Sequence, residues 1–179
     1  MAADSTNLII VESPSKARTL KRFLGDDYHI EASVGHIRDL PKNDLGVDVD
    51  NGFKPTYVAS EDKSKVISQL KSLLKKAEIL YLATDPDREG EAIAWHLMEL
   101  LKPTIPVKRL AFHEITKSAI QESFDHTRNI DESLVSAQEA RRILDRLWGY
   151  KVSAKLWQNV KGGLSAGRVQ SPAVKIVVD

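Results

Sequence analysis

Four acidic side chains follow a short apolar run in the stretch Ile79-Leu-Tyr-Leu-Ala-Thr-Asp-Pro-Asp-Arg-Glu-Gly-Glu91. The run from Ile79 to Ala83 is typical of a strand that is buried on both faces, as in a parallel sheet. Pro86 ends the strand because proline cannot donate to a strand ladder. A helical pattern of apolar residues follows. The acids therefore lie on a strand-to-helix turn, at the edge where open α/β sheets bind ligands.

Divalent metal binding is the chemistry that this acidic cluster favours. Carboxylates at this spacing repel one another and need a cation to compensate them. The chain contains no cysteine, and oxygen donors alone favour Mg²⁺, which keeps several waters and shares a substrate phosphate. For Asp85-Pro-Asp87 taken alone, the alternative is a solvated helix N-terminus that the helix dipole stabilises.

A further acid, Glu12, directly follows the apolar run at residues 7–11. If this predicted strand lies beside the strand at residues 79–83, Glu12 meets Asp85 and Asp87 at one edge of the sheet, since parallel strands end together. The two strand ends thus predict a three-carboxylate centre.

Lys16 lies in the first turn of the helix that Ser13-Pro14 is predicted to start. A cation at this end opposes the helix dipole, which favours a role in holding a phosphate. The alternative is an exposed lysine on a surface helix. His36 follows a glycine beyond the next predicted strand, so we expect it in a loop at the same edge.

The order of predicted elements indicates an α/β fold, with a parallel sheet and flanking helices over residues 1–130, followed by a mainly helical part over residues 131–179. The boundary is placed in the polar stretch before residue 131. In the second part we expect one helix to end at Gly149 and another to be capped by Ser153. Trp148 and Trp157 fall in apolar stripes, which predicts that both are core residues.

Composition is that of an ordinary globular protein, with 42% hydrophobic and 28% charged residues and a net charge of +1. The lack of cysteine excludes disulfides and thiolate metal sites. The sequence has no transmembrane run and no signal-peptide pattern at its N-terminus, so we expect a cytoplasmic protein without membrane contact.

Lysine and arginine outnumber acids after residue 131, which suits a polyanion-binding surface.

The motifs of this sequence together resemble those of type IA DNA topoisomerases, in the order in which that family has them and over nearly the whole chain. They are Val11-Glu-Ser-Pro-Ser-Lys-Ala17, Ser33-Val-Gly-His-Ile-Arg-Asp-Leu-Pro41, Ala83-Thr-Asp-Pro-Asp-Arg-Glu-Gly-Glu91, Phe112-His-Glu-Ile-Thr116, Ala140-Arg-Arg-Ile-Leu-Asp-Arg-Leu-Trp-Gly-Tyr150 and Gly163-Leu-Ser-Ala-Gly-Arg-Val-Gln-Ser171. The resemblance implies a Toprim domain, a Rossmann-like parallel sheet, followed by the start of a helical domain that binds single-stranded DNA.

The resemblance also implies roles for individual residues. Glu12, Asp85, Asp87 and Glu89 would bind Mg²⁺. Glu12, Lys16 and Arg88 would form the catalytic set, in which Glu12 helps to protonate the leaving 3′ oxygen and Lys16 neutralises the transition state. The residues that would contact DNA or shape its groove are His36, Arg141, Arg142, Ile143, Asp145, Arg146, Gln158, Gly163, Leu164, Ser165, Ala166, Gly167, Arg168 and Gln170.

The family cuts DNA with a tyrosine inside a motif that this chain does not contain, since Tyr28, Tyr57, Tyr81 and Tyr150 have other surroundings. We therefore expect an N-terminal part of a monomeric, ATP-independent enzyme that relaxes negatively supercoiled DNA, and we expect no cleavage by this part alone.

Three alternatives remain open at this point. The first is another Toprim enzyme, a metal-dependent nuclease or a primase-like polymerase. The second is a basic helical module that binds single strands beside an incidental acid cluster. The third, phosphoryl transfer through an aspartyl phosphate, has little support because the threonine that such phosphatases place after Asp-x-Asp is missing.

Overall fold

The structure is a computed structural model of the 179-residue chain and describes residues 7–179. Its strands are β1 (Asn7–Val11), β2 (His29–Ala32), β3 (Arg38–Asp39), β4 (Val47–Asp48), β5 (Lys54–Pro55), β6 (Val58–Ala59), β7 (Ile79–Leu82) and β8 (Val107–Arg109). Its α-helices are α1 (Pro14–Leu24), α2 (Ser64–Leu74), α3 (Arg88–Leu101), α4 (Lys117–Asp125), α5 (Glu132–Asn159) and α6 (Gln170–Val178), and a 3₁₀ turn covers Glu61–Lys63.

Four parallel strands form the central sheet in the order β2-β1-β7-β8. The register pairs Asn7 with Ile79 and Ile10 with Leu82, so the carboxyl ends of β1 and β7 are adjacent. This confirms the α/β fold and the neighbouring strands that the apolar runs predict. The sheet edge that carries Glu12 and Asp85 follows directly from this pairing.

Alternate residues of the central strands pack into two cores, one on each face of the sheet. Leu8, Ile10, Leu80 and Leu82 face one core, which also contains residues of α2 and α3. Ile9, Val11 and Tyr81 face the other, with Leu20 from α1 and Ile120 from α4. Helices thus cover both faces, as a parallel sheet requires.

The chain divides into two compact units. Unit 1 takes in the chain up to Asp39 together with Val58–Ser136, and unit 2 consists of Leu40–Tyr57 and Ala137–Asp179. The predicted boundary at residue 131 stays a prediction. No helix among residues 7–179 combines the length and the apolarity that crossing a bilayer needs.

Two expectations for the helical part are wrong. Helix α5 continues through Gly149 to Asn159 without a break. Glycine inside a helix costs only about 1 kcal/mol, which the rest of a long helix outweighs. Ser153 lies inside α5 and caps no helix; its hydroxyl instead accepts a hydrogen bond from the backbone N–H of Ala166 at 2.9 Å.

Candidate functional site

The first helix starts as the sequence predicts and places Lys16 at the sheet edge. The Ser13 hydroxyl accepts a hydrogen bond from the backbone N–H of Lys16, Pro14 occupies the first turn, and Gly25 forms the C-cap. The Lys16 side chain is 4% exposed. The alternative of an exposed surface lysine is therefore wrong.

The Lys16 ammonium joins the ends of the two central strands. Its Nζ lies 2.7 Å from Oδ1 of Asp85 and 3.3 Å from Oε2 of Glu12. The ring of Phe112 lies under the same ammonium, with the ring centroid 4.8 Å from Nζ. Because one cation contacts both carboxylates, Glu12 and Asp85 lie on the same side of the sheet edge.

Side-chain hydrogen bonds hold the turn between β7 and α3. The Thr84 hydroxyl donates to the carbonyl oxygen of Gly90 at 2.6 Å. Asp87 is the N-cap of α3, and its Oδ1 accepts the Gly90 N–H at 2.7 Å. A side chain on Gly90 would meet the Asp85 carbonyl oxygen at 2.0 Å, so only glycine fits this close approach.

The remaining predicted acid, Glu89, pairs with His36. Nε2 of His36 lies 2.6 Å from Oε1 of Glu89, and the Glu89 side chain is 58% exposed. Arg88 is exposed at the first position of α3. His36 therefore lies at the acidic edge, as its loop position predicts, and whether it contacts DNA stays a prediction.

The structure brings Glu12 and Asp85 together, but it does not form the predicted three-carboxylate centre, since Asp87 is the N-cap of α3. Among residues 7–179, no group of three or more His, Asp or Glu side chains is arranged to hold a metal ion. The donors are nevertheless hard carboxylate oxygens at one sheet edge, which is the donor chemistry that Mg²⁺ prefers. The residues present therefore fit a divalent cation chemically, and Lys16 supplies the local positive charge in this structure.

Sequence reasoning missed two residues behind this edge, Arg109 and Arg128, and it did not predict that Glu91 is buried. Oε1 of Glu91 accepts hydrogen bonds from both arginines, at 2.7 Å from Arg109 and 2.6 Å from Arg128. Burial lowers the pKa of the Arg109 guanidinium, while its hydrogen bond to Glu91 opposes that shift. A signal was present, since Arg109 directly precedes the apolar residues Leu110, Ala111 and Phe112, and an arginine that is buried with them needs an acid as a partner.

His96 is a buried neutral histidine beside the His36 ring, whose centroid is 5.7 Å away. Burial, followed by the nearby charges of His36 and Arg38, lowers the pKa of His96 to about 3, while Asp39 acts in the opposite direction. The folded state therefore binds fewer protons than the unfolded state below the ordinary histidine pKa of about 6.5.

We expect this histidine to make the chain less stable in acid. Stability should be lost as pH falls through about 6.5, with a loss of about 2 kcal/mol by pH 5, because folding must keep His96 unprotonated. Urea unfolding at pH 7 and pH 5 measures this loss. In the variant His96→Gln the loss should shrink, whereas it should persist in the variant of the exposed His126, His126→Gln. Equal losses in all three proteins would contradict the assignment.

Unit 2 contains a groove of about 620 Å³. Its lining residues are Arg142, Asp145, Arg146, Gly149, Tyr150, Ser153, Ala154, Trp157, Ser165 and Ala166. Five of the predicted DNA-contacting residues are thus brought together here. The core expectation for Trp148 and Trp157 is wrong, because they are 40% and 54% exposed.

Arg146 fixes the floor of this groove. Its guanidinium donates to the carbonyl oxygens of Pro41 at 2.8 Å and of Leu40 and Asp44 at 3.3 Å each. It also donates to the Tyr150 hydroxyl at 3.0 Å and lies over the Tyr150 ring. Arg146 is therefore as much a structural anchor for residues 40–44 as a cation that faces the groove.

The other predicted contact residues of unit 2 do not line the groove. Nε of Arg168 donates to Oδ1 of Asp145 at 2.7 Å, an interaction that raises the pKa of Arg168. Nε1 of Trp157 donates to the carbonyl oxygen of Leu164. Residues of the predicted set that belong to unit 2 and lie outside the lining are Arg141, Ile143, Gln158, Gly163, Leu164, Gly167, Arg168 and Gln170.

Two family models match the chain in succession. A Toprim domain model matches residues 7–115, and a DNA topoisomerase model matches residues 129–179. Among curated relatives, DNA topoisomerase 1 of Streptomyces coelicolor is 55% identical over 99% of this chain, and DNA topoisomerase 1 of Mycobacterium tuberculosis is 56% identical over 96% of it. The chain spans about a fifth of the length of these relatives, 20% in both cases.

A solved structure also matches. Full-length topoisomerase I from Thermotoga maritima superposes with a TM-score of 0.85 and 50% sequence identity, over 95% of this chain and 29% of that one. The match supports the fold over the part of the chain that it covers.

Proposed function

Because the chain belongs to the Toprim domain family, we propose that it supplies the acidic centre and part of the single-strand groove of a type IA DNA topoisomerase. Such an enzyme relaxes negatively supercoiled DNA: it cuts one strand through a transient 5′-phosphotyrosine and rejoins it without ATP. The observation that carries the proposal is the Lys16 ammonium held between Glu12 and Asp85. A buried lysine on paired carboxylates at a sheet edge is the arrangement that a phosphate-handling centre needs.

The proposed cofactor is Mg²⁺, with Glu12, Asp85, Asp87 and Glu89 as the residues that would hold it. When bound, the cation would add positive charge beside the DNA phosphate. The proposal draws support from the all-oxygen donor set and from the absence of cysteine in the sequence.

Lys16 and Glu12 would act directly on the scissile phosphate. The ammonium is oriented by Phe112 and two carboxylates before any substrate binds, so it can stabilise the charge that develops on the phosphate without rearrangement. The Glu12 carboxyl group would carry the proton that the leaving 3′ oxygen takes up. Arg88, exposed on the same turn, would contact the phosphate backbone.

The nucleophilic tyrosine would come from outside this chain. Tyr81 lies within β7 and is 7% exposed. Tyr28 makes an edge contact with the ring of Tyr81 and packs at a tilt against Phe124. Burial raises the pKa of Tyr28, opposite to what a nucleophile needs. The Tyr150 hydroxyl donates to the carbonyl oxygen of Lys42 at 3.0 Å. We therefore propose that this chain alone binds DNA and does not cut it.

The groove of unit 2 would bind a single DNA strand. Arginines along a groove can follow the phosphate backbone, and an exposed tryptophan offers a face for base stacking. Arg142 and Arg146 supply the charge, and Trp157, which is 54% exposed, supplies the ring. A groove of this chemistry favours single strands because their bases are free to stack.

Arg142→Ala tests the groove, and Asp85→Asn tests the metal centre. We expect Arg142→Ala to weaken oligonucleotide binding and to reduce the slope of log affinity against log salt by about 0.7, the value for one lost phosphate contact on a single strand. Fluorescence anisotropy over a salt series measures both quantities. Mg²⁺ affinity, measured by calorimetry, should fall only in Asp85→Asn.

The matched control is Lys151→Ala, which removes an exposed cation of α5 that does not line the groove. If Lys151→Ala and Arg142→Ala reduce the slope equally, the groove is not the binding surface. If Asp85→Asn leaves Mg²⁺ affinity unchanged, the chain is a basic module with an incidental acid cluster, and the metal centre is refuted.

A further inference from the structure

Glu91 is a fully buried carboxylate with every hydrogen-bonding position used. It is 0% exposed. Its Oε1 accepts from Nε and Nη2 of Arg109 and from Nη2 of Arg128, and its Oε2 accepts the backbone N–H of Asp131 at 3.0 Å. A carboxylate removed from water is tolerated only with such compensation. Glu91 is therefore the centre of a closed network beneath the acidic edge.

Arg109 connects this network to the turn that carries Asp85. Its guanidinium is 1% exposed, and the contacts of its three nitrogens account for all five N–H donors. Two go to Glu91, two go to the carbonyl oxygens of Leu82 and Leu110, and one goes to the carbonyl oxygen of Asp85 at 2.8 Å. The backbone of Asp85 is thus held from below by a group that Glu91 orients.

Asp131 connects the same network to the first turn of α5. While its N–H donates to Glu91, its Oδ1 accepts from the N–H groups of Ser133 and Leu134 at 2.9 Å and 3.2 Å. Asp131 therefore acts as the N-cap of α5, which begins at Glu132. Because Glu91 holds the cap, it also fixes where the helix starts.

We propose that Glu91 is a positioning residue: through Arg109 it holds the Asp85 backbone at the acidic edge, and through Asp131 it holds the first turn of α5. One buried carboxylate then holds both the turn that is proposed to bind metal and the first turn of α5. Apolar side chains of similar volume could fill the same space with equal or better stability. They could not, however, donate a hydrogen bond to the carbonyl oxygen of Asp85. The role of the charged network is therefore to hold the Asp85 backbone in place.

Arg109→Lys and Arg128→Lys are the matched variants that separate position from charge. Both keep a cation opposite Glu91. Only Arg109→Lys loses the guanidinium that donates to the carbonyl oxygen of Asp85. Arg128 instead donates to Glu91 and to the carbonyl oxygen of Asn129. We expect Arg109→Lys to weaken Mg²⁺ binding on the order of 10-fold, the usual cost of disturbing residues behind a metal ligand. Arg128→Lys should leave it within about 2-fold of the parent.

Hydrogen exchange on the metal-free chain provides a second readout, which does not depend on the proposed function as the metal titration does. Amides of residues 84–91 should exchange on the order of 10-fold faster in Arg109→Lys and at the parental rate in Arg128→Lys. Equal exchange in the two variants would overturn the positioning role, even if the parent bound no divalent cation and the proposed metal centre had failed.

Glu91→Gln completes the test and also covers the case in which Arg109→Lys does not fold. The amide has the same shape but lacks the charge that orients both arginines, so exchange should accelerate in two separate segments, residues 84–91 and residues 131–135. Acceleration in only one of these segments would refute the claim that Glu91 holds both. His113→Gln, at an exposed position next to Phe112, should leave both segments unchanged.

Discussion

Gly90→Ala is expected to lower the free energy of unfolding by about 3 kcal/mol or more. The added methyl group would lie 2.0 Å from the carbonyl oxygen of Asp85 and 2.8 Å from its carbonyl carbon and amide nitrogen. All three atoms belong to the backbone, so no side-chain rotation relieves the overlap. The turn between β7 and α3 must therefore shift, and Asp85 must shift with it.

Urea and thermal unfolding measure this effect, and for a chain of this length the expected fall in melting temperature is roughly 10 °C. The control is Gly162→Ala, because a methyl group there meets nothing within 4 Å. That variant should remain within about 0.5 kcal/mol of the parent. A Gly90→Ala protein as stable as the Gly162→Ala protein would show that the turn is not closely packed.

Lys16→Met has the second large effect, a loss of about 2 kcal/mol in the absence of divalent cations. Methionine fills similar space but leaves Glu12 and Asp85 without their shared cation. The loss falls below that of a fully buried ion pair because the Asp85 side chain is 58% exposed, and water stabilises it in part. Mg²⁺ should restore much of the loss, since it supplies the missing charge.

Unfolding in EDTA and in excess Mg²⁺ tests this exchange of cations. Mg²⁺ should raise the stability of Lys16→Met by more than that of the parent, in which Lys16 competes for the same carboxylates. Lys21→Met, which removes an exposed lysine of the same helix, should respond to Mg²⁺ as the parent does. An equal response of Lys16→Met and the parent would rule out Lys16 as the resident counter-charge.

The sequence predicts those features that depend on neighbours along the chain. Ser13 and Gly25 delimit α1 because capping is local chemistry. The apolar runs predict β1 and β7 because a strand buried on both faces needs apolar side chains on both. The meeting of Glu12 and Asp85 follows once these strands are neighbours, whereas the expected third carboxylate, Asp87, instead caps α3.

Features that depend on residues far apart in the sequence could not be predicted from local sequence patterns. In the sequence, Glu91 looks like another surface acid. Only the structure shows that Arg109, 18 residues later, donates a hydrogen bond to it. Residues 40–57 group with the second unit, and Arg146 contacts them through carbonyl oxygens more than 100 residues upstream. Both cases involve charged side chains whose environment only the fold decides.

Predictions from single residues were also wrong where the rest of a helix or of the fold had a larger effect. Gly149 was expected to end a helix because glycine favours C-terminal caps, but α5 has 28 residues, and one unfavourable residue does not interrupt it. Trp148 and Trp157 were assigned to a core from their spacing alone. Such a stripe shows which residues share a helix face, and it does not tell whether the rest of the chain covers that face.

The pairing of β1 with β7 in the central sheet affects when the chain can fold during its synthesis. Asn7 at the start of β1 pairs with Ile79, so β1 leaves the ribosome long before its partner strand exists. At about 5–20 residues per second, the gap lasts roughly 4–14 s. During this time the apolar segment Leu8–Val11 has only β2 beside it. Until β7 has emerged, one edge of β1 in the nascent chain therefore has no strand to pair with.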